Sequence, residues 1–283
     1  MAYERPGETS LDYMPCRYGA SKLLFRGPRR SLSGRYAAFL GGTETYGKFV
    51  PRPYPALVEA RTGLKCVNFG WPNAGIDVFL NDADVLAAAA NSAVSVLQVP
   101  PAQNMSNRFY RVHPRRNDRF LEASAMLRAI YPEVDFTEFH FNRHMLARLQ
   151  ETSPERFCLL REELQTAWRA RMRLLIEQIA APVILLWMSR HPMEGAAEVP
   201  DICADPAFVT REMIDDLARV ALTVVDATAS VNAIRAGTHG MVFSEFETVA
   251  AGELLGPAAH DEAAAKLAAV LADRAGPNEK ARR

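Results

Sequence analysis

Three stretches of the chain carry residues whose types and spacing suit chemistry. In the first, Gly42-Thr43-Glu44-Thr45-Tyr46-Gly47-Lys48 repeats the G-x-x-x-x-G-K spacing of a phosphate-binding loop. Phe49 stands where such a loop carries its magnesium-binding Ser or Thr. Pro51, Pro53 and Pro55 interrupt the helix whose N-terminal amides should face the anion. A phosphate- or nucleotide-dependent transferase using Gly42–Lys48 is therefore a minor alternative, and Thr43 could equally satisfy a backbone N–H in a tight turn. In the second, His113-Pro-Arg115-Arg116-Asn-Asp118-Arg119 concentrates cationic groups. Arginine grips phosphate, sulfate or carboxylate in bidentate fashion, although ion pairs with Glu122, Glu133 or Asp135 are the plainer account. In the third, Glu138, His140 and His144 suggest a metal. The spacing is not H-E-x-x-H and Phe136, Phe139 and Phe141 surround it, so packing is preferred and no metal or cofactor is expected.

The elements that must position these groups alternate. Tyr36–Leu40, Lys65–Gly70, Ser92–Val99, Val183–Met188 and Leu222–Asp226 read as buried strands. Pro55–Gly63, Asp84–Asn91 and His260–Asp273 read as helices between or after them. Strand–helix alternation implies a parallel sheet covered on both faces. The expected fold class is α/β, a flavodoxin-like three-layer α/β/α sandwich whose ligands bind at the carboxyl ends of the strands. Residues 105–180 break the rhythm with long helical patterns, notably Asn117–Ala129 and Pro154–Ile179, and read as a long helical insertion. Trp168, Met172 and Leu175 recur there at helical spacing and read as core. The expected organisation is an irregular basic arm (1–35), a first part of the α/β domain (36–104), the insertion (105–180), a second part (181–273) and a charged tail (274–283). Arg17, Lys22, Arg26, Arg29 and Arg30 form a basic stretch, expected to be a solvated arm packed on acidic faces rather than a nucleic-acid site.

Four short blocks at successive strand ends resemble the SGNH, or GDSL-like, hydrolase superfamily. Gly41-Gly42-Thr43-Glu44-Thr45 is similar to G-D-S-x-T, with Thr43 at the nucleophile and Gly42 at the Asp. Asn68-Phe-Gly-Trp-Pro-Asn73-Ala74 looks like N-x-G-x-x-G-A, with Asn73 at the oxyanion-hole glycine. Ala102-Gln103-Asn104-Met105 stands in place of G-x-N-D and keeps the Asn. Pro257-Ala-Ala-His260 keeps the His of D-x-x-H and loses the Asp. The likeness covers residues 36–105 and 180–272. The whole chain also resembles a bacterial family of unknown function, in stretches such as CRYGASKLLFRGP and VDFTEFHF.

The resemblance implies a hydrolase or acyl-transfer enzyme acting on a small ester or acylated saccharide. Thr43 would attack, His260 would take its proton, and Asn73 and Asn104 would hold the oxyanion. Gly42, Glu44, Thr45, Gln103, Asn107, His113, Arg115 and Arg116 would line the ligand cleft. Pro257 cannot orient an imidazole, so Glu44, Asp226, Glu245 or Asp261 would have to substitute. The alternative is a catalytically inactive protein that uses the same cleft to bind a polar or anionic ligand. Composition narrows the field further. Thirty-three basic residues balance thirty-three acidic ones, against a general nucleic-acid binder. No apolar run approaches membrane-spanning length, and the first residues lack a secretory signal, so a cytoplasmic protein with a small-molecule ligand is expected. Cys16, Cys66, Cys158 and Cys203 are widely spaced and suggest neither zinc nor disulfides. The oligomeric state is left open.

Overall fold

The computed structural model describes residues 11–194 and 201–274. All five expected strands form: β1 (Tyr36–Gly41), β2 (Lys65–Gly70), β3 (Val94–Gln98), then β6 (Val183–Trp187) and β7 (Thr223–Asp226). They make one parallel sheet in the order β2-β1-β3-β6-β7. This is the doubly wound 2-1-3-4-5 order of flavodoxin-like folds, with its switch point between β1 and β3.

The strands are largely apolar because both faces are covered. Alternate residues of β1 enter different cores. Ala38 and Leu40 pack with Val67, Phe69 and Leu97 on one face, while Ala37 and Phe39 pack with Val96, Ile184 and Leu186 on the other. The second face is closed by α2 (Tyr54–Thr62) and α11 (Pro257–Arg274), which also lie against each other, and by Ala233 of α9 (Val231–Ala236). The first is closed by α3 (Ile76–Leu80), α4 (Ala83–Ala90), α7 (Pro154–Ile179) and α8 (Arg211–Ala218). The remaining helices are short α1 (Thr43–Tyr46), α5 (Ala125–Ile130), α6 (Asn142–Thr152) and α10 (Thr248–Gly252).

Helix α7 forms as expected. Ser153 caps it by accepting the Arg156 N–H, and Pro154 occupies the first turn. Phe157, Leu160, Leu164, Trp168, Met172 and Leu175 form its buried stripe. It packs against α3, α4, α6 and α8, so it is a structural layer of the sandwich. Trp168 Nε1 donates to the Pro100 carbonyl at 2.9 Å, tying the helix to the end of β3.

Two expectations are corrected. Residues 117–129 are not one helix: they form most of strand β5 (Arg116–Ala123), paired antiparallel with β4 (Tyr110–His113), and then α5. Asn117, Phe120 and Ala123 are buried at intervals of three, which mimics a helical stripe. Register shifts between Arg111 and His113 reset the hairpin's alternation and produce that spacing. The insertion is therefore hairpin plus helices. The basic arm, too, is not simply solvated. Residues 11–35 lack regular elements, but Cys16 and Phe25 form an antiparallel bridge. Tyr18, Leu23 and Phe25 are buried, with both aromatic rings edge-on to Phe69 or tilted on each other. The first ten residues and the tail beyond Arg274 lie outside the described residues. Among the described residues no helix is long and apolar enough to cross a membrane.

Candidate functional site

The site grows from the turn after β1. Gly41 is required there, because a Cβ would lie 2.0 Å from Thr45 Oγ1. Gln98, the last residue of β3, organises the turn. Its Oε1 accepts the Gly42 N–H at 3.0 Å, the Thr45 N–H at 3.2 Å and the Thr45 hydroxyl at 2.6 Å. Arg26 clamps the turn from behind, donating to the carbonyls of Tyr46, Gly47 and Pro51. Loop amides already committed to a glutamine are not a phosphate cradle. Lys48 points elsewhere, its Nζ 4.6 Å from the Phe49 ring centroid. The phosphate-loop alternative thus finds no support in the geometry.

Thr43 meets Asn73 across the gap between β1 and β2. Its Oγ1 donates to Asn73 Oδ1 at 3.2 Å and accepts the Asn73 backbone N–H at 3.0 Å. Asn73 has φ +56°, the left-handed conformation that asparagine tolerates. Its Nδ2 donates to Asp118 Oδ2 at 3.2 Å. Asn104 follows from the β3 end, its Nδ2 donating to the Asn73 carbonyl at 3.4 Å. Asn142 of α6 supports it: its Nδ2 donates to the Asn117 carbonyl at 2.6 Å, the Gln103 carbonyl at 3.2 Å and Asn104 Oδ1 at 3.4 Å. Thus Thr43, Asn73 and Asn104 do share one edge of the sheet.

Gly42, Thr43, Glu44, Asn73, Gln103 and Asn104 line a crevice of about 70 Å³, together with Gln98, Arg143 and Asp205. An adjoining hollow of about 490 Å³ shares Asn73, Gln103, Asn104 and Arg143, and adds Asp118, Phe141, His144 and Glu253. Glu44 is half-buried. Desolvation and the Asp205 charge push its carboxyl up to about 7, against the pull of its Gln98 contact and of Arg190.

His260 does not line this crevice, and its expected role as base finds no support in the geometry. It is 1% exposed, in the first turn of α11, on the face of the sheet closed by α2. Its Nδ1 accepts the Tyr54 backbone N–H at 3.1 Å, and the ring also hydrogen-bonds the Leu255 backbone. Desolvation, with Arg26 nearby, lowers its pKa to about 3. Two of the four carboxylates expected to orient it are engaged elsewhere: Asp261 pairs with Arg61 at 2.7 Å, and Asp226 accepts from Thr228. The proline at position 257 simply starts α11.

The other expected ligand residues divide. Thr45 is buried behind the crevice, hydrogen-bonded to Tyr54 and Gln98. Asn107 makes a turn, its Oδ1 accepting the Phe109 and Tyr110 N–H groups. His113 Nδ1 likewise accepts the N–H groups of Arg115 and Arg116 at the hairpin tip. Arg115 contributes its carbonyl to Trp71 Nε1, and Arg116 is exposed. These three hairpin residues do not line the crevice beside Thr43. Among the described residues no group of three His, Cys, Asp or Glu is placed to hold a metal. His144 instead lies edge-on to Phe139, with 5.0 Å between ring centroids.

Sequence reasoning missed Gln98, Arg143 and Asp205. One signal existed for Gln98, a polar residue closing the otherwise largely apolar strand VSVLQ. Arg143 and Asp205 come from α6 and from a loop after β6, and no local pattern ties them to β1.

Fold and site together define a flavodoxin-like α/β/α sandwich with a polar crevice at its switch point. The chain belongs to the DUF6473 family, a domain of unknown function, whose pattern matches residues 1–275. No curated protein matches it. The chain is also similar to several solved structures. One, described as lipolytic and of the G-D-S-L family, is from Desulfitobacterium hafniense; it is 13% identical, with 84% of this chain and 99% of that chain covered and a TM-score of 0.42. A lipase from a goat rumen metagenome is 12% identical, covering 83% and 97% at a TM-score of 0.39. An acetylxylan esterase from Geobacillus stearothermophilus is 15% identical, covering 84% and 94% at a TM-score of 0.37.

Proposed function

We infer that the crevice at the carboxyl ends of β1 and β3 binds a small polar molecule, and that it does not cleave esters through a threonine–histidine couple. The hydroxyl of Thr43 carries this reading. Its proton goes to Asn73 Oδ1, and it receives the Asn73 N–H in return. An amide oxygen is not a base, so a hydroxyl so placed has no group to take its proton on attack. The imidazole that the resemblance would supply is buried beside α2, its Nδ1 taken by the Tyr54 N–H and its basicity lowered by desolvation. What remains is a set of donors and acceptors on three strand ends, suited to holding a ligand.

Turnover of p-nitrophenyl acetate and butyrate tests this, alongside melting in a panel of saccharides, amines and carboxylates. The expected result is no turnover above that of Thr43→Ala, and stabilisation by a polar probe that Asn104→Ala weakens. Turnover abolished in Thr43→Ala would overturn the reading. A second reading, ester hydrolysis with Glu44 as the base, is favoured by one observation. Glu44 lines the crevice beside Thr43, and its carboxyl is pushed up to about 7, the range of a general base near neutral pH. Turnover lost in both Thr43→Ala and Glu44→Gln, but kept in His260→Gln, would establish it.

A further inference from the structure

We propose that Glu44, Asp205 and Gln103 receive a primary ammonium group, so that the ligand of the crevice is a small primary amine. The proposal rests on the binding reading above and names its substrate class. Gln103 is 2% exposed, and its Oε1 has no hydrogen-bond partner among the described residues. Its main-chain carbonyl is fixed by the Tyr110 hydroxyl at 2.8 Å and by Asn142 Nδ2 at 3.2 Å. The residue is thereby held at the wall of the crevice, where a turn of its enclosed amide would bring the free acceptor to a donor.

Two carboxyls line the same space. Glu44 takes a long contact from Gln98 Nε2 at 3.5 Å and one from its own backbone N–H, and stands in the field of Asp205. A primary ammonium matches this set on three counts. It places three N–H donors on one atom, for the amide oxygen and two carboxyls. It brings a positive charge that favours the ionised form of both carboxyls. A hydroxyl offers a single donor, and an anion is repelled by both acids. The cations already present act from the sides: Arg143 and His191 on Asp205, and Arg190 on Glu44. Arg143 is exposed and lines both spaces, so it can swing aside for a ligand.

Size sets the rest. The crevice, at about 70 Å³, is the smaller of the two spaces and suits the ammonium head group. The adjoining hollow, reached past Asn73 and Asn104, takes the remainder of a longer amine.

The test is thermal melting of the full chain in methylammonium chloride and ethanolamine hydrochloride. Tetramethylammonium chloride at matched ionic strength and ethylene glycol serve as controls. Both primary amines are expected to raise the Tm, by roughly 3 °C or more as they pass ten times their Kd and with the logarithm of concentration beyond it. Neither control should do so, since one has no N–H and the other no charge. Glu44→Gln and Asp205→Asn should each weaken the amine's apparent affinity about tenfold or more, with circular dichroism confirming the fold. Asp205 lies at an exposed rim, so its variant tests the idea even if the Glu44 variant unfolds. Stabilisation by ethylene glycol or a saccharide but by neither amine would overturn the ammonium assignment and leave the binding reading standing. Amine stabilisation unchanged in folded Asp205→Asn and Gln103→Leu would also overturn it. Failure of every probe, with Thr43-dependent ester turnover, would overturn both.

Discussion

The burial of His260 has a measurable consequence for stability against pH. The ring titrates near 6.5 when unfolded and at about 3 when folded. Between those values the unfolded chain binds the proton that the folded chain refuses. Stability therefore rises with pH across this window and is lost as pH falls through it. From pH 7 to pH 5 the loss is about 2 kcal/mol, at about 1.4 kcal/mol per pH unit below the unfolded value. For a chain of this size that lowers the Tm by roughly 4–8 °C. Glu44 works in the opposite sense. Its folded value is raised to about 7, so it holds a proton that the unfolded chain has released, and its contribution fades as pH rises toward 7. The His260 effect must therefore be read as a difference. Differential scanning calorimetry of wild type and His260→Gln, from pH 7.5 to pH 5, should show the wild type losing stability more steeply. The glutamine can still accept the Tyr54 N–H but cannot titrate. A constant gap between the two curves would refute the reasoning. So would an NMR titration of His260 with a midpoint near 6.5, because a ring open to solvent would again be available as a base.

Other outcomes follow from single residues. Arg26→Met removes three hydrogen bonds to loop carbonyls and should cost about 3 kcal/mol in urea unfolding, well above a surface arginine control such as Arg116→Met. Asn117→Ala frees the N–H groups of Gly75 and Val78, which its Oδ1 now accepts at 3.0 and 3.1 Å; a loss of about 2–3 kcal/mol is expected, and one below about 0.5 kcal/mol would refute the role. Gly75→Ala would set a Cβ 1.6 Å from the Asn104 carbonyl, so it should displace Asn104 and abolish ligand-induced stabilisation even where the fold survives by circular dichroism. Trp168→Phe loses the bond to Pro100 in a fully buried site, and should cost about 1–3 kcal/mol by the same denaturation measurement.

Hydrophobic periodicity makes the sandwich legible in the sequence. Five apolar runs, each too short for a helix and each bounded by turn residues, are all strands of the parallel sheet. The third-residue spacing of Asn117, Phe120 and Ala123 misleads, because bulged strands and helices can bury the same intervals. Thr43, Asn73 and Asn104 are legible as a group because each follows a strand, and parallel strands bring their carboxyl ends to one edge.

What the sequence determined by itself, then, is local: which segments are strands, which helix stripe is apolar, and which polar residues sit just past strand ends. Those properties depend on neighbours a few residues away, and alternation and capping record them. Which face of the sheet a distant helix covers was decided only in three dimensions. His260 lies 206 residues from Tyr54, yet that one backbone N–H takes the nitrogen that catalysis would need. The packing of α11 against α2, which no local signal sets, buried the imidazole. The same long-range packing brought Asp205 and Arg143 to a crevice that no pattern in their own segments announces.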